Sequence, residues 1–185
     1  MINKNFVDKN LSNLIDCVKS ASAGIMKIYR SDYFGQEEKS DGSPLTMADT
    51  ISNEIIMDAL KKISPDISVV SEENFSDENL KNLDETYWLV DPLDGTKEFI
   101  NKTDEFTVNI ALINNKKSIF GIVAAPVTGK IWHGSIFDNN EFDNNSVRKL
   151  RIVMSKSHKS ENDRAFLEFL DSIHVEYEII EKGSS

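Results

Sequence analysis

The sequence predicts a layered α/β (α+β) fold in two parts: a helix pair with a β-meander over residues 1–146, and a smaller α/β piece over 147–185. Three observations carry this reading. Two stretches near the N-terminus repeat apolar residues at the 3.6-residue period of amphipathic helices. Three stretches between 105 and 137 alternate apolar and polar residues around short turns. After an Asn- and Asp-rich break at 138–146, the order strand, helix, strand appears, which is a parallel crossover unit.

The first helix is expected over 11–29, with Leu11, Leu14, Ile15, Val18, Ile25 and Ile28 on one face and small Ala21 and Ala23 between them. Residues 30–45 are polar and hold Gly35, Gly42 and Pro44, so they read as a loop or weak hairpin. A second helix is expected from 46 to 63, with Met47, Ile51, Ile55, Ala59, Leu60 and Ile63 inward and Pro65 as its stop. Asp49 falls in its first turn, where a negative charge suits the helix dipole without any further role. A short β-rich run at 67–71 leads into Glu72 and Glu73, whose side chains point different ways. The acidic stretch 74–86 is a surface connection, with a helical turn expected at Asp77–Leu83.

Strands are expected at 105–115, 118–126 and 130–137, with Phe106, Val108, Ile110 and Leu112 on the inner face of the first and Thr128-Gly129 turning between the last two. His133, alone on a strand, reads as structural. The C-terminal piece is expected as a strand at Leu150–Met154, a helix at 160–172 with Ala165, Phe166, Phe169 and Leu170 inward, and a strand at 175–180.

Composition narrows the function. Hydrophobic residues at 39% and charged residues at 28% are those of a soluble globular chain, and no run approaches the roughly 18 apolar residues of a membrane span. The N-terminus MINKNFVDKN lacks the apolar core of a signal peptide and the arginines of a transit peptide, so the expected location is cytoplasmic. One cysteine, Cys17, excludes an internal disulfide and a multi-cysteine metal site, and reads as a packing residue. A formal net charge of -10 argues against binding a nucleic acid polymer, while leaving a small phosphorylated ligand open.

The chemistry is concentrated in Trp88-Leu-Val-Asp-Pro-Leu-Asp-Gly-Thr-Lys-Glu-Phe99. Asp91 and Asp94 lie three apart, Pro92 fixes a φ between them and Gly95 permits a sharp turn, so both carboxylates can converge on one hard cation beside a main-chain carbonyl. A helix starting at Thr96 would offer unpaired amides to a phosphate. Oxygen ligands without clustered His or Cys favour Mg²⁺ over zinc.

This string resembles the W-[LIV]-[LIV]-D-P-[LI]-D-G-T signature of the inositol monophosphatase superfamily of magnesium-dependent phosphatases. The Thr96-Lys97-Glu98-Phe99 continuation is similar to the 3'(2'),5'-bisphosphate nucleotidase branch. The resemblance runs from about residue 10 to the end and implies an inositol monophosphatase-like α/β/α/β/α sandwich whose C-terminal subdomain is incomplete. It implies Mg²⁺ held by Glu72, Asp91, the Leu93 carbonyl and Asp94, and a catalytic pair in which Asp49, within Thr46-Met-Ala-Asp49, orients Thr96 and the attacking water. Glu72, Leu93, Asp94, Gly95 and Thr96 would contact substrate, joined by Ser155 and His158 of Ser155-Lys-Ser-His158. Lys39 to Pro44 resembles the family's mobile loop near the active site.

The implied reaction removes the 3'-phosphate of adenosine 3',5'-bisphosphate to give AMP and phosphate, within sulfur metabolism. The resemblance also admits a peripheral place at the inner face of the membrane. Other branches acting on inositol phosphates or sugar phosphates, and a non-catalytic metal- or nucleotide-binding remnant, are the alternatives. The family continues past Ser185 to a W-D-x-A-A segment whose aspartate completes the second metal site, whereas Trp88 and Trp132 are followed by Leu89 and His133. The expectation is therefore that the 185-residue form is a poor catalyst.

Overall fold

A computed structural model of the protein describes residues 2–31, 35, 37–38, 44–74, 83–138, 150–155 and 160–182. The chain divides into two compact units, Met1–Asn139 and Asn140–Ser185.

The first unit opens with α1 (Lys4–Tyr29), which starts seven residues before the apolar repeat becomes regular. Asn3 caps it, its side chain accepting from the Phe6 amide at 3.1 Å, and Lys4 pairs with Asp8 one turn on at 2.8 Å. Strands β1 (Glu37–Glu38) and β2 (Pro44–Leu45) pair antiparallel, so the segment at 30–45 contains a short hairpin; its Lys39–Ser43 tip lies outside the described residues.

Helix α2 (Met47–Ile63) is capped by Thr46 and packs along α1. Its orientation corrects the sequence expectation. Met47 is exposed and Ile51, Ile55, Ala59 and Ile63 are only half-buried, while the fully buried stripe is Ala48, Asp49, Ser52, Asn53, Ile56 and Leu60. Ile51 and Ile55 lie over Gly24 of α1, where an added Cβ would stand 2.9 Å from the Ile51 side chain. The apolar face thus meets the neighbouring helix, and the polar face is turned toward the sheet for the partners waiting there.

The sheet has five strands in the order β3 (Ser68–Ser71), β4 (Thr86–Asp94), β5 (Thr107–Asn114), β6 (Lys117–Ala125) and β7 (Lys130–Ser135). β3 runs parallel to β4, and β4 to β7 form antiparallel pairs, so the expected meander is present with one parallel strand added at its edge. Gly129 closes the β6–β7 turn at φ 68°, a left-handed value that favours glycine. Trp88, Phe106, Val108, Ile110, Leu112 and Ile122 form the core face beneath α1 and α2, and the Trp88 indole donates to the Ser64 hydroxyl at 2.8 Å. The opposite face, with Leu89, Val123 and Trp132, is exposed, and His133 is a surface residue of β7. Cys17 packs inside and burial pushes its thiol up to about 12, as befits a small core residue. The helical turn expected at Asp77–Leu83 lies outside the described residues except for Leu83.

Between β4 and β5 lies a short helix, α3 (Thr96–Ile100). The second unit is the expected crossover: β8 (Leu150–Ser155), then α4 (Glu161–Ser172), then β9 (Tyr177–Lys182), which lies parallel to β8 with Leu150 opposite Tyr177. Ser160 and Asp163 make a capping box at the start of α4. The expected inward face is corrected here too. Leu170 is buried, but Ala165, Phe166 and Phe169 are exposed. A two-stranded sheet covers only a narrow stripe of a helix, and Leu167 and Leu170 fill it.

The two faces of the large sheet should respond differently to truncation. We expect Leu112→Ala to cost about 2–5 kcal/mol by urea denaturation, and Val123→Ala to stay within roughly 0.5 kcal/mol. Equal losses at the two positions would contradict the assignment of the core face.

Candidate active site

The parallel pairing of β3 with β4 places their C-terminal ends side by side. Ser71 stands opposite Val90, so Glu72, just past the end of β3, comes beside Asp91 of β4. Glu72 opens a single 3₁₀ turn, Glu72–Asn74. The β4–β5 register is irregular between Asp91 and Asp94, where Pro92 has no N–H to give to the ladder. The Pro92 carbonyl is instead taken by the buried Ser52 hydroxyl of α2 at 2.7 Å. That leaves the Leu93 carbonyl as the acceptor facing Thr96, at 3.3 Å from its hydroxyl.

Gly95 then adopts φ 93° and ψ 42°, a left-handed conformation costly for other residues, and the chain turns into the short helix α3 (Thr96–Ile100). Phe99 of α3 packs against Tyr29 and Phe106 with ring centroids 5.2 Å and 5.3 Å away, which fixes α3 to the core.

Asp49 joins the two sides of the site. Its Oδ2 accepts from the Thr46 amide at 2.8 Å and the Thr46 hydroxyl at 2.6 Å, completing a capping box, while its Oδ1 accepts from the Thr96 hydroxyl at 3.2 Å. The carboxylate therefore serves the helix start and reaches the catalytic candidate at the same time. Burial raises its pKa, and the Thr46 and Thr96 hydrogen bonds oppose the rise.

The three acidic candidates at the strand ends show the strain of gathered like charge. Burial, the charges of Glu72 and Asp94, and a carboxyl–carboxyl hydrogen bond with Glu72 push Asp91 up to about 7. Burial likewise raises Asp94, with Glu72 and Glu98 adding to it, and a 3.2 Å hydrogen bond from the Asn109 side-chain amide opposes it. Asp91 Oδ1 is buried with no hydrogen-bond partner. Among the described residues no three acidic, His or Cys side chains form a ready coordination sphere; Glu72 and Asp91 bond to each other, and Asp94 bonds to Asn109. An orphaned carboxylate oxygen, mutual repulsion and an oxygen-only donor set nevertheless fit a hard divalent cation.

The supporting residues were not found by reading motifs. Asn109 stands opposite Asp91 in the β4–β5 ladder and is itself approached by the Thr107 hydroxyl at 3.1 Å. Ser52 holds the Pro92 carbonyl, and the neighbouring Asn53 accepts from the Ser71 hydroxyl at 2.6 Å, tying α2 to the end of β3. The available signal was polarity at core-facing positions: three polar residues on one buried helix stripe. Ser155 ends β8 in the second unit, and His158 lies outside the described residues.

A family model described as the inositol monophosphatase family matches residues 9–176. The chain belongs to the inositol monophosphatase family. Among curated relatives in the family, the 3'(2'),5'-bisphosphate nucleotidase CysQ of Escherichia coli K12 is 37% identical over 169 residues, covering 86% of this chain and 69% of the relative. The enzyme of the same name from the Buchnera aphidicola symbiont of Acyrthosiphon pisum is 38% identical over 172 residues, covering 86% of this chain and 64% of the relative. Among solved structures, CysQ from Bacteroides thetaiotaomicron, a bacterial member of the inositol monophosphatase family, superposes with a TM-score of 0.76 at 29% identity, over 95% of this chain and 73% of that one. A Thermotoga maritima IMPase has the same fold, with a TM-score of 0.71 at 20% identity. Relatedness of this extent makes the chain a phosphatase of the inositol monophosphatase family, with its mixed α/β fold.

The acidic cluster should govern stability as well as binding. A carboxyl raised in the folded state binds protons that the unfolded chain has released. Its stabilising contribution is therefore present below the ordinary carboxylate range and is lost as pH rises through about 7. In chelator, the melting temperature should fall between about pH 4 and pH 7, and Asp91→Asn should flatten that fall. A divalent cation should restore wild-type stability at the higher pH and do little for the variant. An unchanged pH profile in Asp91→Asn would show that Asp91 does not set it.

Proposed function

We propose that this protein is a Mg²⁺-dependent phosphatase that removes the 3'-phosphate of adenosine 3',5'-bisphosphate, giving AMP and phosphate. The observation that carries the reading is the meeting of a like-charged carboxylate cluster, in which Asp91 Oδ1 is buried and unbonded, with an aligned Asp49–Thr96 pair, in a chain 37% identical to a named bisphosphate nucleotidase. Glu72, Asp91, Asp94 and the Leu93 carbonyl would hold Mg²⁺. When bound, the metal supplies positive charge to the phosphoryl oxygens and the leaving oxygen and acidifies water.

The chain's own residues do the rest. Ionised Asp49, fixed by Thr46, accepts the Thr96 hydroxyl proton and so turns an oxygen lone pair of Thr96 toward the incoming water. Water gives a proton to Thr96 as Thr96 passes its own to Asp49, and the water oxygen forms the new bond to phosphorus as the ester bond breaks, the 3'-oxygen leaving with the electron pair and taking a proton from solvent. The raised pKa of Asp49 makes it a better proton acceptor than an exposed aspartate. The amides of Gly95 and Thr96 stand at the turn where phosphate would rest. Asn109 and Ser52 keep Asp94 and the Pro92 turn in place. Ser155 and His158 are the proposed nucleoside contacts. Cys17 is buried and needs no oxidising compartment, and we assign the reaction to the cytoplasm.

Phosphate release from adenosine 3',5'-bisphosphate and from inositol monophosphate, measured side by side with Mg²⁺, tests the substrate. The nucleotide should be the better substrate, and equal or faster release from inositol monophosphate would reassign the chain within the family. Asp91→Asn should lower kcat/KM by on the order of a hundredfold or more, and Thr96→Ala should lower kcat by roughly 10²–10⁴ with little change in fold. Wild-type turnover in either variant would sink that residue's role.

A further inference from the structure

A group of basic residues lines a groove that shares no residue with the carboxylate cluster. Between the C-terminal half of α1 and the β6–β7 turn is a groove of about 620 Å³, within the range of small-molecule sites. Lys19 and Lys27 of α1, Arg30 at its C-cap and Lys130 of β7 line it, and no carboxylate does. The first three fall on one stripe about 16 Å long, at 1.5 Å rise per residue. All four are exposed, and among the described residues none is in an ion pair. In a chain with 31 acidic against 21 basic residues, four cations around one groove whose lining holds no carboxylate repel one another. The floor between them is apolar: Met26 and Ile131 are half-buried and Pro126 is buried.

We infer that this groove binds a small organic phosphate of the nucleotide class, with phosphate oxygens on the Lys27, Arg30 and Lys130 end and the flat apolar body on the Met26, Pro126 and Ile131 floor. A cationic rim selects the anion, and the floor rewards an organic body over a bare ion. Concavity and volume favour a compact ligand over a peptide helix, which would need an open channel. The groove shares no lining residue with Glu72, Asp91, Asp94 or Thr96, so it is a second site. Tyr29, beside Arg30 in the chain, packs on Phe99 of α3, the helix that Thr96 opens.

The test is calorimetric titration of the full chain with AMP in chelator, where uncompensated carboxylates repel anions from the active site. Failure of this test is therefore separable from failure of the proposed reaction. Saturable binding is expected, weakening from about 0.05 M to about 0.3 M salt. It should fall by about tenfold or more in Lys27→Ala/Arg30→Ala and persist in Lys27→Arg. Adenosine and inorganic phosphate should each bind more weakly than AMP. Absence of saturable binding, equal affinity in the double alanine variant, or phosphate binding as tightly as AMP would overturn the inference. So would an acidic peptide that occupies the groove where AMP does not.

Discussion

Like charge held at one end of a sheet is the constraint on which the rest of the first unit depends. Glu72 and Asp91 emerge together because β3 and β4 are parallel, and Asp94 follows after a turn of three residues. Burial and proximity both oppose ionisation, so the arrangement costs free energy unless a cation or a proton offsets it. The surrounding fold spends contacts on keeping the groups there regardless. Ser52 anchors the Pro92 carbonyl, Asn109 holds Asp94, and Gly95 permits the exit that brings Thr96 back toward Asp49.

Helix α2 shows how this requirement outweighs simple amphipathicity. Ile51 and Ile55 fit against Gly24 of α1, and this frees the adjacent stripe to carry Asp49, Ser52 and Asn53 to the sheet. Each of these polar side chains has a specific partner: Asp49 with Thr46 and Thr96, Ser52 with Pro92, Asn53 with Ser71. Buried polar groups of this kind are tolerable only when bonded, and bonded they fix the helix rotation about its axis. The helix start and the site are consequently one structure, since the carboxylate that caps α2 also meets the threonine that opens α3.

Charge is distributed unevenly over the first unit. The carboxylate end gathers like charge that a cation would offset, whereas the lining of the groove beside α1 holds four basic residues and no carboxylate. The proposed reaction and the proposed second site would thus offer anions two different environments in a chain of net charge -10.

Much of this protein was legible in its sequence because the information is local. The periodicity of α1 and α2, the alternation of Phe106, Val108, Ile110 and Leu112, the turn at Gly129 and the Asp91 to Thr96 string each need only a short window. The start of α1 was missed because residues 4–10 have few apolar side chains and rely on Asn3 as a cap. Tertiary structure alone decided which stripe of α2 is buried, which residues of α4 face the strands, and that β3 runs parallel to β4. It also decided that Asn109 and Ser52 belong to the site, and that Lys130 joins Lys19, Lys27 and Arg30 around one groove. The physical reason is common to all of these. Periodicity fixes what lies on a face, but the partner across a helix or a strand is set by contacts between residues distant in the chain, and a polar side chain becomes a core residue only when that partner is there.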